Sequence, residues 1–566
     1  MGIKTIKTIF LGVAIFLFIL ASPKIFASDT TQTDENKNVR VAIGNQNFNN
    51  YSYNKLSFFG TSDIQIYDIT KQNLIAEIPS ETPFEVLCKR NSFEINYNNE
   101  TKVISEIFVI KCSDGLLGIK DLKRKGKQAL YHNSFEIIKN PKTDDYFYVV
   151  NVLDIQDYLK GVVPNEMPTS FGLEALKAQA VAARNYVLSP RTKLVDEYDV
   201  VDSVSSQVYF GANTEEKLSN EAVDKTEGIV ALYNWNLILA QYSSTAGGYT
   251  ESFANAFSDP ISKKFPSESK PYLIAKADML TQQPLKTEEQ VAEYYTNTPD
   301  SYDIRSPYYR WQKVWNKDEL EQILSKTLVE QSKTGFVYPK LQNSGDFGKL
   351  RNIKPKRRGD SGKLIDIEII TDRGTYTVQK ELVIRRVFQK NNISLPSANV
   401  VFDLTFDDKQ NLTDIAAYGG GFGHGVGMSQ YGAGFMGKEL KISYDKILKH
   451  YYTDISLGTE PVIVSAHPTQ QRFTQKIYLD YKNANLIIDN RFNLSKIYAE
   501  INGKEYKIPL KGGISLFRAP LRIDISDLVK KGENVITFRY PLDEGSMKAA
   551  RLYVEAINPN VGKYEF

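Results

Sequence analysis

The stretch DYLKGVVPNEMPTSFGLEALKAQAVAARNYVL, residues 157–188, is the most distinctive segment of the chain and decides its central fold. Its second half, from Leu173 to Leu188, is rich in Ala, Leu, Gln, Lys and Arg, which are good helix formers. Apolar residues recur there at intervals of three and four, at Leu173, Leu176, Ala180, Ala183 and Val187. The pattern predicts a helix over 173–188, with Thr169 or Ser170 as its cap.

An acidic residue precedes this helix and lies between two prolines. Pro164 and Pro168 flank Glu166, and each fixes its own φ and disfavours helix in the residue before it. We therefore expect a stiff, non-helical backbone around Glu166. Apolar neighbours would partly desolvate the carboxyl and raise its pKa toward the working pH, as general acid catalysis requires. Two alternatives stay open: Glu166 caps the following helix, or it pairs with an arginine.

Further polar residues that suit ligand contact occur in two places. Gln179 and Arg184 lie in the Ala-rich helix, where Arg184 would pair with Glu166, hold an anionic or carbonyl group, or simply be a solvated surface residue. The stretch YSSTAGGYTE, residues 242–251, has three consecutive hydroxyl residues before two glycines: Ser243, Ser244 and Thr245. Such a run offers short donors and close backbone approach, but it is also typical of ordinary turns.

A glycine-dense segment, GGGFGHGVGMSQYGAGFMG at residues 419–437, surrounds His424 and Gln430. This density predicts tight backbone packing, and the segment lacks the Lys-Ser/Thr ending of a phosphate loop. His424 is a candidate hydrogen-bonding or acid–base group, the alternative being a structural turn with an incidental histidine. No metal site is predicted, because the histidines are scattered away from ligand spacing: His132, His424, His450 and His467.

Short alternating runs, typical of strands, dominate the rest of the chain. They extend from 39 to 150, with YFYVVNVLDI at 146–155 as a further strand, and resume beyond Pro461. A polar region at about 260–352 has helical character in TEEQVAEYY (287–295) and KDELEQILSKTLVEQ (317–331), which predicts an accessory insertion. Short helices are expected near 221–226 and at YDKILKHYY (444–452). The sequence therefore predicts a β-rich α+β fold.

The N-terminus has the layout of a secretory signal. Lys4 and Lys7 precede the apolar run IFLGVAIFLFIL at 9–20, and small residues follow around Ala27. A membrane anchor is the alternative, but the uninterrupted run is shorter than the roughly 20 residues that a span needs. We expect export to the periplasm, cell wall or exterior, with the membrane as a partner only if this segment stays uncleaved.

Composition excludes some classes of protein. The 566 residues exceed the roughly 250–300 at which a single core stops growing, so at least two packed units are expected. A net charge of +3, from 70 basic and 67 acidic residues, is too balanced for a nucleic-acid-binding surface. Cys88 and Cys112 are the two cysteines, and they would form one disulfide in an exported chain or stay as two buried thiols.

Several blocks, in order, resemble the stage II sporulation protein D (SpoIID/LytB) domain family. The specific ones are YLKGVVPNEMPTSFGLEALKAQAVAARNYVL, SVSSQVYFG, AVDKTEGIVALYN, YSSTAGGYTES and GHGVGMSQYGAGFMG. In the sporulation branch, the resemblance implies a lytic transglycosylase that cuts glycan strands stripped of stem peptides. The glutamate of its EMP motif, Glu166 here, is then the catalytic acid and base. The other branch contains enhancers of a cell-wall amidase, for which binding replaces catalysis.

The resemblance also implies a set of substrate-binding positions. The helix arginine falls on Arg184, and the polar positions that line the cleft fall on Ser243, Ser244, His424, Ser429, Gln430 and Tyr431. Some family members bind zinc through Cys and His near the YSSTAGG block. This chain has Tyr242, Ser243 and Tyr249 there, so we expect a site without metal or other cofactor.

The domain prediction follows from these blocks. We expect a signal peptide at 1–28, a flexible leader at 29–38 and a β-rich module at 39–145. A central mixed SpoIID-type domain at 146–458, with the insertion at about 260–352, is followed by an all-β module at 459–566.

The leading hypothesis is a lytic transglycosylase that cleaves the MurNAc–GlcNAc linkage of peptidoglycan glycan strands. Glycosidic cleavage normally uses two carboxylates, and no second acid accompanies Glu166. One acid suffices if the 6-hydroxyl of the sugar attacks the anomeric carbon. The alternatives are a glycan-binding amidase enhancer, whose partner is the amidase, and a structural wall protein.

Overall fold

The structure, a computed structural model, describes residues 38–68, 73–90, 92–105, 107–189, 197–234, 236–278, 285, 287–459, 462–465, 472–479, 484–489, 498–508, 521–539 and 549–556. Strand makes up 39% of the structure and helix 23%, which confirms the β-rich α+β prediction. The predicted signal peptide and most of the leader lie outside the described residues. Among the helices that are described, none combines the length and apolar character needed to cross a membrane.

In the described part of the chain, strands alone precede the first helix. They are β1 (Asn38–Ala42), β2 (Ser52–Tyr53), β3 (Lys55–Gly60), β4 (Ile64–Asp68), β5 (Leu74–Ile78), β6 (Phe84–Lys89), β7 (Ser92–Tyr97), β8 (Glu100–Ile104), β9 (Phe108–Cys112), β10 (Leu117–Arg124), β11 (Lys127–Tyr131), β12 (Ser134–Lys139) and β13 (Phe147–Asp154). The strand predicted at 146–155 is therefore confirmed. Cys88 and Cys112 are both buried free thiols, so the disulfide alternative is not realised.

The next elements are helices and short strands, and they contain the segment 157–188. They are α1 (Ile155–Glu166), α2 (Leu173–Leu188), β14 (Val200–Val201), α3 (Lys217–Asp224), β15 (Ile229–Tyr233), β16 (Asn236–Leu237), β17 (Tyr242–Ser243) and α4 (Phe253–Ala256). Helix α2 has the predicted bounds. Its predicted cap is wrong, because Gly172 precedes it without a side-chain cap, and Thr169 and Ser170 belong to a separate 3-10 turn.

The prediction of a non-helical backbone around Glu166 is also wrong. Glu166 is the last residue of α1, and Pro164 lies inside that helix. A proline in the final turn removes only one intrahelical donor, and the Asn165 side chain donates to Gly161 O at 2.7 Å in the same turn. Met167 follows the helix and has an extended backbone. This is the conformation that a residue before a proline favours, and Pro168 comes next.

The middle of the chain alternates helices with small sheets. Its elements are α5 (Glu288–Thr296), β18 (Trp311–Asn316), α6 (Lys317–Ser332), β19 (Val337–Tyr338), β20 (Leu350–Arg358), β21 (Leu364–Thr371), β22 (Gly374–Gln379), α7 (Glu381–Val387), β23 (Gln389–Lys390), β24 (Ile393–Ser394), β25 (Val400–Phe406), β26 (Leu412–Gly419), β27 (Met428–Ser429), α8 (Gln430–Lys438), α9 (Tyr444–Tyr451) and β28 (Ser456–Thr459). Helices α3, α5, α6 and α9 lie at the four other places where the sequence predicts helical structure.

The described C-terminal strands fall into two sheets, one of which continues a sheet of the central region. They are β29 (Val462–Ser465), β30 (Arg472–Leu479), β31 (Ala484–Asp489), β32 (Tyr498–Ile501), β33 (Lys504–Lys507), β34 (Leu521–Asp524), β35 (Gly532–Arg539) and β36 (Ala549–Ala556). Strand β36 pairs with β28, which pairs with β15, so one sheet runs in the order β16-β15-β28-β36-β31-β34. The elements described beyond 459 are strands, and hydrogen bonding continues across that boundary. The domain limits stay a prediction.

The N-terminal strands likewise join the central region. Two of their sheets run β14-β1-β13-β12-β9-β4-β5, with β2 beside β13, and β11-β10-β3-β6-β7-β8. Strand β14 comes from beyond α2 and lies parallel to β1. One hydrophobic core runs from these strands through α1 and α2 to the C-terminal strands, and a second core lies around α6, α7 and β21.

Helix α2 is the element that positions the candidate site. It is buried along most of its length and packs against α1, α3, α8 and α9. This packing brings the C-terminal end of α1 and the N-terminal end of α8 to the same part of the molecule. Glu166 and Gln430, the residues at those two ends, are thereby brought into contact.

Candidate active site

Glu166 is held at the end of α1 by a close approach of the following chain. Its Oε1 accepts a hydrogen bond from Val208 N at 2.6 Å. Phe210 N donates to Gly161 O at 3.3 Å, and a side chain at Gly161 would meet the ring of Tyr209. The glycine of GVVPNEMP therefore lets the segment 207–211 lie against α1, which places the Val208 amide at the carboxylate.

Burial raises the pKa of Glu166 to about 7. The hydrogen bond from Val208 N and those from the side chains of Gln430 and Tyr242 oppose this rise, but desolvation is the larger effect. Within the described residues no lysine, arginine or histidine forms an ion pair with Glu166, and its side chain caps neither the 3-10 turn nor α2. Both alternatives drawn from the sequence are therefore excluded, and the carboxyl of this partly buried glutamate can hold its proton near neutral pH.

Two glutamine side chains join the helix ends. Gln430 Nε2 donates to the main-chain oxygen of Glu166 at 2.9 Å and lies 3.3 Å from Gln179 Oε1. Gln179 is fully buried in α2, and Gln430 is the first residue of α8. Both residues were predicted to bind substrate. The structure places Gln430 in contact with Glu166, and Gln179 contacts Gln430.

A line of hydrogen-bonding side chains behind Glu166 was missed in the sequence. Tyr158 OH donates to Gln207 Oε1 at 3.0 Å, and Gln207 Nε2 donates to Tyr242 OH at 2.9 Å. The Tyr242 hydroxyl in turn hydrogen-bonds the Glu166 carboxylate. The available signal was that Gln207 and Tyr242 lie in the blocks SQVYFG and YSSTAGG, but nothing local indicates that their side chains meet.

The two glycine-containing segments pack backbone against backbone. Strand β17 pairs in parallel with β27, with Tyr242 opposite Met428 and Ser243 opposite Ser429. A further bridge joins Thr245 and Phe422. Gly427 has φ +72°, and a Cβ there would overlap Gln241 O, so only glycine fits this contact. The predicted tight packing of the glycine-dense segment is confirmed, and its partner is the YSSTAGG segment.

Several hydroxyl groups predicted to bind substrate have partners inside the protein. Thr245 Oγ1 lies 2.6 Å from Ser306 Oγ. Ser429 is fully buried and caps α8, accepting from Gly432 N at 3.3 Å. Ser243 is also buried, whereas Ser244 and Tyr431 keep partial exposure next to each other, with Tyr431 N donating to Ser244 O at 3.1 Å. Of this group, Ser244 and Tyr431 are placed best to reach a ligand.

His424 is held neutral. Its Nδ1 accepts from Val426 N at 3.0 Å, and its ring packs against Phe257 with centroids 5.2 Å apart. Burial lowers the pKa of His424 to about 4, even though the nearby Glu381 carboxylate favours the charged form. An imidazole with this pKa is no proton donor at neutral pH, so among the two roles inferred from the sequence the structure favours hydrogen bonding.

Arg184 is fully buried in α2. Its guanidinium donates to Ile229 O at 3.0 Å and to Gln156 Oε1 at 3.1 Å. These contacts tie α2 to β15 and to the start of α1. The structure thus places Arg184 in the core, where its hydrogen bonds connect the helices around Glu166.

The residues of the site do not fit zinc. The Tyr242 hydroxyl hydrogen-bonds Gln207 and Glu166, and Ser243 is buried in a strand pair, so this segment offers no Cys or His ligand. Across the described part of the chain, no three His, Cys, Asp or Glu side chains come together as metal ligands.

Two family models match parts of this chain. A family model described as stage II sporulation protein matches residues 143–233, and one described as Domain of unknown function (DUF8618) matches residues 259–427. The first contains Glu166, Gln179 and Arg184, and the second begins where the accessory insertion was predicted but extends past His424.

Similar proteins include two from Bacillus subtilis (strain 168). The chain is 33% identical to its amidase enhancer over 308 residues, which cover 53% of this chain and 40% of that protein. It is 30% identical to its stage II sporulation protein D over 319 residues, which cover 54% of this chain and 74% of that protein. An uncharacterized protein of Brachyspira hyodysenteriae is 28% identical over 391 residues, or 68% of this chain and 85% of that protein. The chain thus spans less than half of the amidase enhancer.

Proposed function

The chain belongs to the stage II sporulation protein D family, and from this premise we propose that it is an exported lytic transglycosylase of peptidoglycan glycan strands. Glu166 is the single acid and base in this proposal. Its substrate is the MurNAc–GlcNAc linkage, and its product is a 1,6-anhydro-MurNAc end.

The observation that carries the proposal is the raised pKa of Glu166, about 7, on a partly exposed side chain. A general acid must hold its proton at the working pH and then act as a base without a large energy cost, and a pKa near 7 meets both needs. The C-terminal end of α1 adds to the effect, because the last carbonyls of a helix carry partial negative charge and disfavour a carboxylate there.

The chemistry then needs one carboxyl and no water. The Glu166 carboxyl donates its proton to the glycosidic oxygen as the bond from that oxygen to the anomeric carbon of MurNAc breaks. The 6-hydroxyl of the same MurNAc attacks the anomeric carbon, and its proton returns to Glu166. Between these steps the carboxylate is stabilised by the amide of Val208 and by the side chains of Gln430 and Tyr242.

An exposed aromatic pair supports binding of a glycan near this carboxyl. Tyr308 and Phe422 are 39% and 38% exposed, and their ring centroids are 4.4 Å apart. Main-chain hydrogen bonds join Phe422 to Thr245, three residues from Tyr242. Aromatic side chains offer large apolar faces, and the apolar side of a sugar ring can pack against such a face.

A second candidate function is a binding protein that enhances a cell-wall amidase without turnover of its own. The observation that favours it is the 33% identity to a protein named amidase enhancer. Under this alternative the same cleft would hold a glycan strand, and Glu166 would contact the sugar without transferring a proton.

The two functions are separated by Glu166→Gln, which keeps the shape of the side chain and removes its proton. Purified wild type and variant are incubated with peptide-stripped glycan strands, and the products are measured by mass spectrometry. Loss of 1,6-anhydro products in the variant alone supports the enzyme. Glu216→Gln is the matched control, because Glu216 is an exposed neighbour that accepts from Thr169 Oγ1 at 2.6 Å.

Equal release of anhydro-sugars by Glu166→Gln and wild type overturns the catalytic assignment. If the wild-type protein releases no anhydro-sugars but accelerates a purified amidase on intact wall, the enhancer function replaces the catalytic one. The amidase assay is run on both variants, because an enhancer that only binds glycan keeps its effect when Glu166 loses its proton.

A further inference from the structure

A cavity of about 590 Å³ lies apart from the residues around Glu166. Its walls come from residues 275–277, from the start of α5, and from the end of β20 with the turn that follows it. Most of these residues fall in the stretch 259–427 and none in 143–233, so the cavity belongs to the less characterised part of the chain. Its volume is within the range of small-molecule sites.

The wall of this cavity is rich in basic side chains. Four cationic residues line it against two acidic ones, Glu288 and Asp360, and the four are Lys276, Lys356, Arg357 and Arg358. Whole-chain charge is nearly balanced, so this local excess is a specific feature of the cavity. The N-terminal end of α5, a helix of nine residues, also lines it and adds partial positive charge.

The four cations differ in how strongly the protein already neutralises them. Arg358 is held by Glu288 at 2.7 Å and by Gly362 O at 2.6 Å, and its side chain is 9% exposed. It is a fixed part of the wall. Lys356 and Arg357 are about half exposed, at 51% and 45%, and pair with acids on β21 outside the cavity lining.

Lys276 stands out among them. Its Nζ donates to the main-chain oxygen of His450 at 3.0 Å, and in the described part of the chain it has no carboxylate partner. Desolvation by burial lowers the pKa of Lys276, and the charge of the Asp454 carboxylate opposes this effect. An anion bound in the cavity would also favour the charged form of Lys276.

We propose that this cavity is a second substrate site that binds a carboxylate of peptidoglycan, carried by the lactyl group of a MurNAc residue or by a stem peptide. The inference rests on the proposed function for the choice of polymer, because glycan strands present carboxylates along their length. Several basic side chains in one concave site are the chemistry that recognises a carboxylate.

The cavity lies within reach of the candidate active site. Tyr249 lines it, and Tyr242 contacts Glu166, so at most seven residues of chain separate the two. A fully extended segment of that length spans at most about 25 Å. This distance is compatible with one glycan strand contacting both sites.

Binding is measured by calorimetry on the full chain carrying Glu166→Gln, so that no ligand is cleaved. Three ligands are compared: a GlcNAc–MurNAc oligomer with free lactyl carboxylates, the same oligomer with stem peptides, and a neutral GlcNAc oligomer. The cavity variants are Lys356→Gln with Arg357→Gln, and Lys276→Gln. The matched control is Lys349→Gln with Arg351→Gln, which removes two basic residues with acidic partners at the other end of β20, outside the cavity.

The expected result is that the cavity variants bind carboxylate-bearing oligomers about tenfold more weakly, while the control variant and the neutral oligomer are unaffected. The oligomer that shows the larger loss identifies the source of the carboxylate. Unchanged affinity in the cavity variants overturns the proposal, as does an equal loss for the neutral oligomer or displacement of the oligomers by a phosphodiester polymer. Loss of activity in Glu166→Gln tests the proposed function separately, since it leaves this binding assay intact.

Discussion

The side-chain amide of Gln430 donates a hydrogen bond to the main-chain oxygen of Glu166 across 264 residues of sequence. This contact joins the C-terminal end of α1 to the N-terminal end of α8. It satisfies a carbonyl at a helix end, where four such groups lack intrahelical donors. The site is thus assembled from two parts of the chain that no local pattern connects.

Tyr242→Phe is expected to move the alkaline limb of the pH–rate profile to higher pH. The hydroxyl of Tyr242 favours the charged form of Glu166, so its removal raises the pKa of the carboxyl further. The shift is expected to be about one unit, because a hydrogen bond to a charged group contributes roughly 1.5–3 kcal/mol. Initial rates of sugar release between pH 5 and 9 measure it.

The control for this variant is Tyr452→Phe. Tyr452 OH donates to Gln241 O at 2.9 Å and makes no contact with Glu166, so its loss leaves the position of the limb unchanged. A limb that moves to lower pH in Tyr242→Phe, or moves equally in both variants, contradicts the role given to Tyr242.

Glu166→Gln is expected to stabilise the protein at alkaline pH. The pKa of Glu166 is raised from 4.5 to about 7 on folding, so ionisation costs stability as the pH rises through that window. Glutamine stays neutral. We expect the variant to gain about 1–3 kcal/mol in free energy of unfolding at pH 8.5 and little at pH 4.5. Urea denaturation at both pH values measures the difference, and a gain independent of pH would argue against burial of the carboxylate.

Gly427→Ala is expected to destabilise the protein more than Gly126→Ala. Both glycines have φ between +70° and +80°, so both substitutions carry backbone strain of roughly 1–2 kcal/mol. Only at Gly427 does a Cβ also overlap Gln241 O, whereas nothing lies within 4 Å at Gly126. An additional loss of about 1–3 kcal/mol is expected for Gly427→Ala from overpacking. Comparable unfolding free energies for the two variants would show that the two segments are not in tight contact.

His424 and His132 are expected to titrate on opposite sides of the ordinary histidine pKa. Burial lowers the pKa of His424 to about 4, whereas the hydrogen bond with Glu215 at 2.7 Å raises that of His132. Protonation of buried His424 therefore removes stability as the pH falls from about 6.5 through 4. Ring signals in NMR spectra, assigned with His424→Gln and His132→Gln, report both values. A titration of His424 near 6.5 would restore it as a candidate proton donor.

Phe422→Ala is expected to weaken binding of neutral glycan oligomers several-fold, because it removes half of the exposed aromatic pair with Tyr308. Phe406→Ala is the matched control, since Phe406 is 39% exposed on β25. Calorimetry on the Glu166→Gln background compares the two. Equal affinities of the two variants would show that the aromatic pair does not contact the glycan.

The sequence by itself determined the features that depend on local spacing. The three-and-four periodicity placed α2 at Leu173–Leu188, and alternating runs indicated the strands on either side of the central region. Glycine density at 419–437 indicated close backbone packing. The EMP block singled out Glu166, because a glutamate between prolines and apolar residues is an unusual local arrangement.

Only the tertiary structure decided what these residues can do. The helix continues through Glu166 although Pro164 lies inside it. Burial raises the pKa of Glu166, and hydrogen bonds from residues 42 and 264 positions away, Val208 and Gln430, oppose that rise. Arg184 and His424 have side chains that suit a site, yet one is buried in the core and the other is held neutral. Periodicity is a property of neighbouring residues, whereas desolvation depends on every segment packed around a group, and the sequence does not show which segments those are.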